Sequence, residues 1–435
     1  MTSGMINAYT PGQVALPTET EAMIARRQRL LGPAYRLFYQ TPLHLVRGAG
    51  VYLYDRDGRE YLDCYNNVAS VGHCHPHVVA ATARQSAVYA SHTRYLNDTV
   101  LDYAERLLTH FPPDLSQVMF TCTGSEANDL ALRVARAHTG GTGVIVTANA
   151  YHGVTEAMAA MSPSLGAGVA LGPNVRCIPA PDAKGISDLG VAFAAAVQRA
   201  VDDLRSQGIR PCALLVDTVF SSDGIFTDPP GFLRGAVAAI RAAGGIFIAD
   251  EVQPGFGRTG SAMWGFQRHG VIPDLVTLGK PMGNGYPVAG LVMRPEIVAE
   301  FGAKARYFNT FGGNAVAAAT AMAVLDVIEN EALQAHAAKV GGYLRDGLMA
   351  LAGTHDSLGS LRSAGLFLGQ DIVTEGRADA PKTSRIVNGL RDAGILISAT
   401  GPLAHTLKIR PPLVFTTAHA DRFLDGIAQV LRVSG

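Results

Sequence analysis

The chain has 435 residues, of which 48% are apolar and 17% charged, a profile that excludes a disordered or coiled protein and exceeds one small core. Its 36 Lys and Arg balance 36 Asp and Glu with no basic block, which argues against nucleic acid or anionic membrane as a partner. The five cysteines (Cys64, Cys74, Cys122, Cys177 and Cys212) are scattered without Cys-x-x-Cys spacing, and no apolar run has signal-peptide or bilayer length, so a soluble cytoplasmic protein with free thiols is expected.

Residues 1–20 read as a loose arm, followed by a helical pattern over 19–31 with Met23, Ile24 and Leu30 on one side. Residues 46–63 read as a small antiparallel meander whose turn is Asp55-Arg56-Asp57-Gly58. His73, Cys74 and His75 follow. Consecutive strand residues face opposite ways and no second ligand pair follows at zinc spacing, so no metal is expected there. A turn leading into a helix over 76–90, with Pro76 at its start, fits better.

From 118 to 293 strand and helix patterns alternate: Val118-Met119-Phe120-Thr121, a helix over 125–138, Val144-Ile145-Val146-Thr147, then runs at 212–216, 246–249, 275–278 and 288–293. Such alternation implies a mostly parallel sheet covered on both faces. Residues 179–190 read as a surface loop. Beyond Thr310, one helix over 314–330 continues to 351 with a break near Glu331. A strand at 365–369, a helix at 384–393, strands at 395–397 and 407–410 and a last helix over 418–433 follow. The expected division is an N-terminal segment (1–65) belonging to a small domain, a large domain (66–313) and a C-terminal small domain (314–435).

Two strand ends carry the chemistry. Ile246-Phe247-Ile248-Ala249 runs into Asp250 and Glu251, and Leu275-Val276-Thr277-Leu278 runs through Gly279 into Lys280. Open α/β sheets bind ligands at the carboxyl ends of their strands. An acid and an amine there suit pyridoxal phosphate, which condenses with a lysine and needs a carboxylate against its ring nitrogen. A structural ion pair is the plain alternative. Thr123-Gly124-Ser125-Glu126-Ala127-Asn128 sits between strand and helix and is either a phosphate cup or an ordinary N-cap. Tyr151-His152-Gly153 offers an aromatic for stacking or a half-buried tyrosine. The loop Phe308-Asn309-Thr310-Phe311-Gly312-Gly313-Asn314 is a second phosphate donor or a linker. Arg410 before Pro411 and Pro412 is a carboxylate clamp or a lone surface arginine.

Taken together, Gly124 to Asn128, Tyr151 to Gly153, Asp250-Glu251-Val252-Gln253 with Gly255-x-Gly-Arg-Thr-Gly, Lys280 and Thr310 resemble the class III aminotransferases, pyridoxal-phosphate enzymes of fold type I. The likeness runs from about residue 31 onward. It implies an α/β fold with a large, mostly parallel sheet flanked by helices, a smaller α+β domain, and a homodimer with shared active sites. Lys280 would hold the cofactor as an imine and move the proton. Asp250 would pair with the ring nitrogen, Val252 and Tyr151 would sandwich the ring, and His152 would belong to the same pocket. Gln253 would contact the ring hydroxyl. Gly124 and Ser125 would bind the phosphate, with Thr310 coming from the neighbouring subunit.

By the same resemblance, Arg410 and Tyr65 would bind the substrate, an amino donor or a small keto acid such as pyruvate or glyoxylate. Relatives acting on ω-amino groups carry a glutamate that masks the substrate arginine. Here Asp217-Thr218-Val219-Phe220-Ser221-Ser222-Asp223-Gly224 aligns with that stretch and Ser222 stands in the acid's place, so Arg410 should stay unmasked. A narrower resemblance, carried by Tyr61-Leu62-Asp63-Cys64, Asn66-Asn67-Val68, Gly72 to Pro76 and Arg94-Tyr95-Leu96, points to a branch holding alanine–glyoxylate aminotransferases and phospho-lyases, which eliminate phosphate and ammonia. Both chemistries begin with proton loss at the amine-bearing carbon.

Overall fold

The computed structural model describes residues 5–66 and 68–433; Asn67 of the Asn66-Asn67-Val68 motif and residues 1–4 of the N-terminal arm lie outside them. Seven strands form the main sheet: β1 (Gln117–Thr121), β2 (Gly143–Thr147), β3 (Val175–Ile178), β4 (Pro211–Asp217), β5 (Ile246–Asp250), β6 (Leu275–Leu278) and β7 (Ala289–Met293). Their order is β1-β7-β6-β5-β4-β2-β3. All are parallel except β7, which runs against both neighbours.

Side chains alternate between two cores, as the two-residue period of a strand requires. Val144, Val146, Ile246 and Ile248 pack under the helix Gly124–Thr139. Ile145, Phe247 and Ala249 face the helices Leu189–Ser206 and Leu233–Ala242. With both faces covered, β2, β5, β6 and β7 are buried along their whole length, which explains their nearly continuous apolar sequences. The register then aligns the strand ends: Asp217 pairs with Asp250, and Asp250 with Thr277. Three polar side chains thus stand in a row at one edge of an otherwise apolar sheet.

Strands Leu45–Ala49, Tyr52–Asp55 and Glu60–Asp63 make the expected meander, and Ile395–Leu396 adds to it in parallel, so the two ends of the chain share one sheet. Leu358–Ala364, Phe367–Thr374, Thr406–Ile409 and Ser398–Thr400 form a separate antiparallel sheet. The helices Ala315–Asn330 and Leu333–Ala352 break at Ala332, whose φ is 49°.

Several expectations need correction. The strand expected at 365–369 begins only at Phe367, because Gly365 and Leu366 form the hairpin turn. Gly365 has φ 53°, and a Cβ there would lie 2.5 Å from the Arg258 carbonyl oxygen, so only glycine fits the approach. The N-terminal arm is pinned from Asn7 onward: Tyr9 N–H donates to Leu37 O at 2.9 Å and Ser398 Oγ donates to Asn7 Oδ1 at 3.1 Å. Those partners are distant in sequence, so local composition gave no sign of them. Strand β3 and the helices Asp98–Leu108, Leu189–Ser206 and Leu233–Ala242 were not anticipated. In β3, Arg176 and Cys177 interrupt the apolar run.

Beneath the β4 edge, His269 is fully buried against Phe232 with Nε2 3.1 Å from Thr218 O. Burial lowers its pKa from 6.5 to about 4. The native state therefore binds fewer protons than the unfolded chain between those values. The histidine's contribution is present above pH 6.5 and lost as pH falls toward 4, on the order of 3 kcal/mol in all. Denaturant unfolding of His269→Gln at pH 7 and pH 4.5 should show a smaller acid-induced loss than the parent; an equal loss would contradict this.

Candidate active site

Asp250 is 4% exposed and held by three polar neighbours. Its Oδ2 accepts Asn128 Nδ2 at 2.9 Å and faces His152 Nδ1 at 2.8 Å, while Oδ1 accepts Val252 N–H at 3.1 Å. Thr277 Oγ1, on the neighbouring strand, donates to Asn128 Oδ1 at 2.7 Å, which turns the amide nitrogen toward Asp250 and toward His152 O at 2.8 Å. Acceptance by Asp250 Oδ2 corresponds to the His152 tautomer with Nδ1–H as donor. His152 Nε2 is left buried without a partner among the described residues.

The helix Gly124–Thr139 opens beside this cluster. Thr123 caps it by accepting Glu126 N–H at 3.2 Å, and Glu126 Oε2 accepts Cys122 N–H at 2.7 Å. The N–H groups of Gly124 and Ser125 take no partner among the described residues and remain for an anion. Both glycines of the cradle are sterically required. A Cβ on Gly124 would lie 2.9 Å from Val252 Cγ2, and one on Gly153 would lie 2.6 Å from Ser125 Oγ.

Lys280 follows β6 and opens the short turn Lys280–Gly283. It has no hydrogen-bond or ion-pair partner among the described residues. Burial, then the Arg410 charge, lowers its pKa, with Asp250 and Asp217 opposing. The neutral amine, the nucleophilic form, is thereby favoured. Gly124, Ser125, Tyr151, His152, Asp250, Val252, Gln253 and Lys280 line one cavity of about 360 Å³. An anion cradle at one end, a buried acid and an unpartnered amine along the walls, and the Val252 and Tyr151 side chains among the lining fit pyridoxal phosphate.

Lys280 also lines a second cavity of about 480 Å³, together with Tyr65, Asp63 and Arg410 and the apolar side chains of Leu37, Phe38, Leu43 and Leu45. Arg410 Nε and Nη2 donate to Tyr65 O at 3.0 and 2.9 Å, and Nη1 donates to Gln253 Oε1. No carboxylate pairs with it among the described residues, so the guanidinium is uncapped by acid but held in place. The residue of the 217–224 stretch that faces this corner is Ser221, whose Oγ accepts Gln253 Nε2; Ser222 contributes its carbonyl oxygen to Asn149, Gly401 and Thr400. Ser222, which aligns with the masking acid, thus puts no carboxylate on Arg410, and its neighbour Ser221 is the residue that reaches Gln253.

Thr310 is exposed and does not line this chain's own cavity. His73 Nε2 meets Asp63 Oδ2 at 2.8 Å, and His75 reaches Glu331 at 3.5 Å. Glu251 is turned away from the cavity and accepts Thr218 Oγ1 (2.7 Å), Gly265 N–H (2.7 Å) and Phe266 N–H (2.8 Å), so it anchors the following loop. Arg258 of the Gly-Arg-Thr-Gly motif donates to Leu366 O at 3.0 Å and Pro411 O at 2.7 Å, tying that loop to the Arg410 corner. Asn128, Thr277, Ser221, Asp217 and Lys408 were given no site role of their own from sequence. Only the strand register and loop trace, neither visible in spacing, bring them to the site.

The family profile described as aminotransferase class-III matches residues 37–431. An alanine–glyoxylate aminotransferase 2-like protein of Drosophila melanogaster is 39% identical, with 95% of this chain and 87% of that protein covered. An ethanolamine-phosphate phospho-lyase homolog of Caenorhabditis elegans is 34% identical over 98% of this chain and 97% of that one. A solved phospholyase from Arthrobacter in complex with phosphoethanolamine superposes with a TM-score of 0.92 at 44% identity, covering 94% of this chain and 99% of its own.

Proposed function

The chain belongs to the class III aminotransferases, pyridoxal-5′-phosphate-dependent enzymes of fold type I, and on that premise we propose that it moves an amino group from a small amine or amino acid to a small keto acid such as pyruvate or glyoxylate. When bound, the cofactor supplies a carbonyl for amine chemistry and a protonated ring that accepts electron density. Asp250 would hold the ring-nitrogen proton, with Asn128 and His152 aiming the carboxylate. Lys280 Nζ, the unpartnered amine of the cavity, would take up the proton released from the amine-bearing carbon of the substrate and hold it for return. Gly124 and Ser125 N–H groups would hold the phosphate, Val252 and Tyr151 would bracket the ring, and Gln253 would contact its hydroxyl. Thr310 reaches the phosphate of the other subunit in a homodimer.

The observation that carries the reading is that Lys280 lines both cavities, facing Asp250 in one and Arg410 in the other. A guanidinium has five N–H donors, and three are used by Tyr65 and Gln253, so two remain for a substrate anion. Arg410→Ala should lower kcat/KM for carboxylate-bearing donors on the order of 10- to 100-fold more than for simple amines, the worth of charge-assisted hydrogen bonds. Steady-state kinetics with paired donors checks this, and equal losses would remove the role.

Elimination of phosphate and ammonia from a phosphorylated amine is the second reading. It is favoured by the 44% identity to the phospholyase seen with phosphoethanolamine and by an arginine corner without a masking acid. Incubating the holoenzyme with phosphoethanolamine alone, and separately with amino donors plus pyruvate or glyoxylate, decides between them. Keto-acid-dependent amine exchange without phosphate release supports transfer. Stoichiometric phosphate release without an acceptor overturns it in favour of elimination.

A further inference from the structure

Arg410 sits at the head of a directed chain of hydrogen bonds. Its Nη1 donates to Gln253 Oε1, Gln253 Nε2 donates to Ser221 Oγ, and Ser221 Oγ donates to Asp217 Oδ2. Every donor points the same way, from the cation to the acid, so each bond polarises the next. The far end is fixed. Asp217 Oδ1 accepts Val219 N–H at 3.0 Å and Oδ2 accepts Ser221 N–H at 3.2 Å. The Ser221 carbonyl is gripped from the other side by Lys408 Nζ at 3.1 Å and Thr400 Oγ1 at 2.9 Å. Ser221 is fully buried, Gln253 is nearly so, and Asp217 at the strand end is half-buried and lines the same cavity as Gln253.

We propose that Asp217 and Ser221 are positioning residues that act through Gln253 to hold Arg410 for the anionic group of the substrate. A carboxylate placed directly on the guanidinium would compete with that anion. Two neutral groups in between keep the arginine oriented while its outer N–H donors stay available. With the amide oxygen committed to Arg410 and the amide nitrogen to Ser221, Gln253 is also held in one of its two flip orientations, which couples the arginine corner to the cavity that Gln253 lines. This proposal rests on the reading of Arg410 as the substrate-anion residue, and its test separates the two.

The test uses holoenzyme, in which the phosphate cradle is already filled, and measures binding of acetate and of inorganic phosphate from the change in cofactor absorbance. Retention of that absorbance in each variant reports a folded, loaded protein. Ser221→Ala should raise the dissociation constants about tenfold, as expected for loss of one charge-linked hydrogen bond. Asp217→Asn should also weaken binding, although removal of a negative charge near Arg410 would by Coulomb's law alone tighten it. Arg410→Ala should abolish it. Unchanged affinity in Ser221→Ala, or tighter binding in Asp217→Asn, would overturn the positioning role while Arg410→Ala still loses the anion. Unchanged affinity in Arg410→Ala would instead overturn the reading of Arg410 itself.

Discussion

Lys280→Ala is expected to reduce kcat by at least about 10³-fold while leaving the fold intact, since among the described residues the side chain has no partner whose loss would destabilise the protein. Two functions vanish with one amine: the covalent seat of the cofactor and the base that moves the substrate proton. General acid–base catalysis alone is worth on the order of 10²–10⁴-fold. Reconstituted variant protein should still bind pyridoxal phosphate through Gly124, Ser125 and Asp250, but with the spectrum of the free aldehyde. A small external amine should restore part of the rate, because it can occupy the space the lysine leaves. Activity within tenfold of the parent would place the chemistry elsewhere.

Asp250→Asn tests the other wall. An amide in place of the carboxylate offers one oxygen where the structure uses two, and Val252 N–H, Asn128 Nδ2 and His152 Nδ1 must then compete for it. Its NH₂ also faces a ring nitrogen that should itself be protonated, so the electron-withdrawing form of the ring is lost. Removal of a preorganised electrostatic partner of this kind costs on the order of 10²–10³-fold in kcat. The loss should fall on kcat rather than KM, since the anion corner at Arg410 is unaltered. A change confined to KM, read from full saturation curves, would contradict the role assigned to the acid.

Much of this was legible in the sequence because the central strands are covered on both faces. Ile246 to Ala249 and Leu275 to Leu278 could only be buried parallel strands, and a polar residue ending such a run can only emerge at the sheet edge. Asp250 and Lys280 were therefore visible as a pair. Partners fixed by register were not. Asn128 reads as one more polar helix residue until Thr277 turns its amide toward Asp250. Ser221 and Ser222 are adjacent, yet only Ser221 meets the Gln253 amide, while Ser222 gives its carbonyl to Asn149 and Thr400. Lys408 reads as an ordinary strand residue, yet it is 6% exposed and buttresses the Ser221 carbonyl. Spacing along a chain reveals periodic burial; it does not reveal which loop a side chain meets across a sheet edge.

The most direct measurement is chemical. Holoenzyme reduced with borohydride, digested and read by mass spectrometry should carry one phosphopyridoxyl group, on the peptide that contains Lys280. A label on another lysine, or no label from protein loaded with the cofactor, would contradict the assignment on which the proposed chemistry rests.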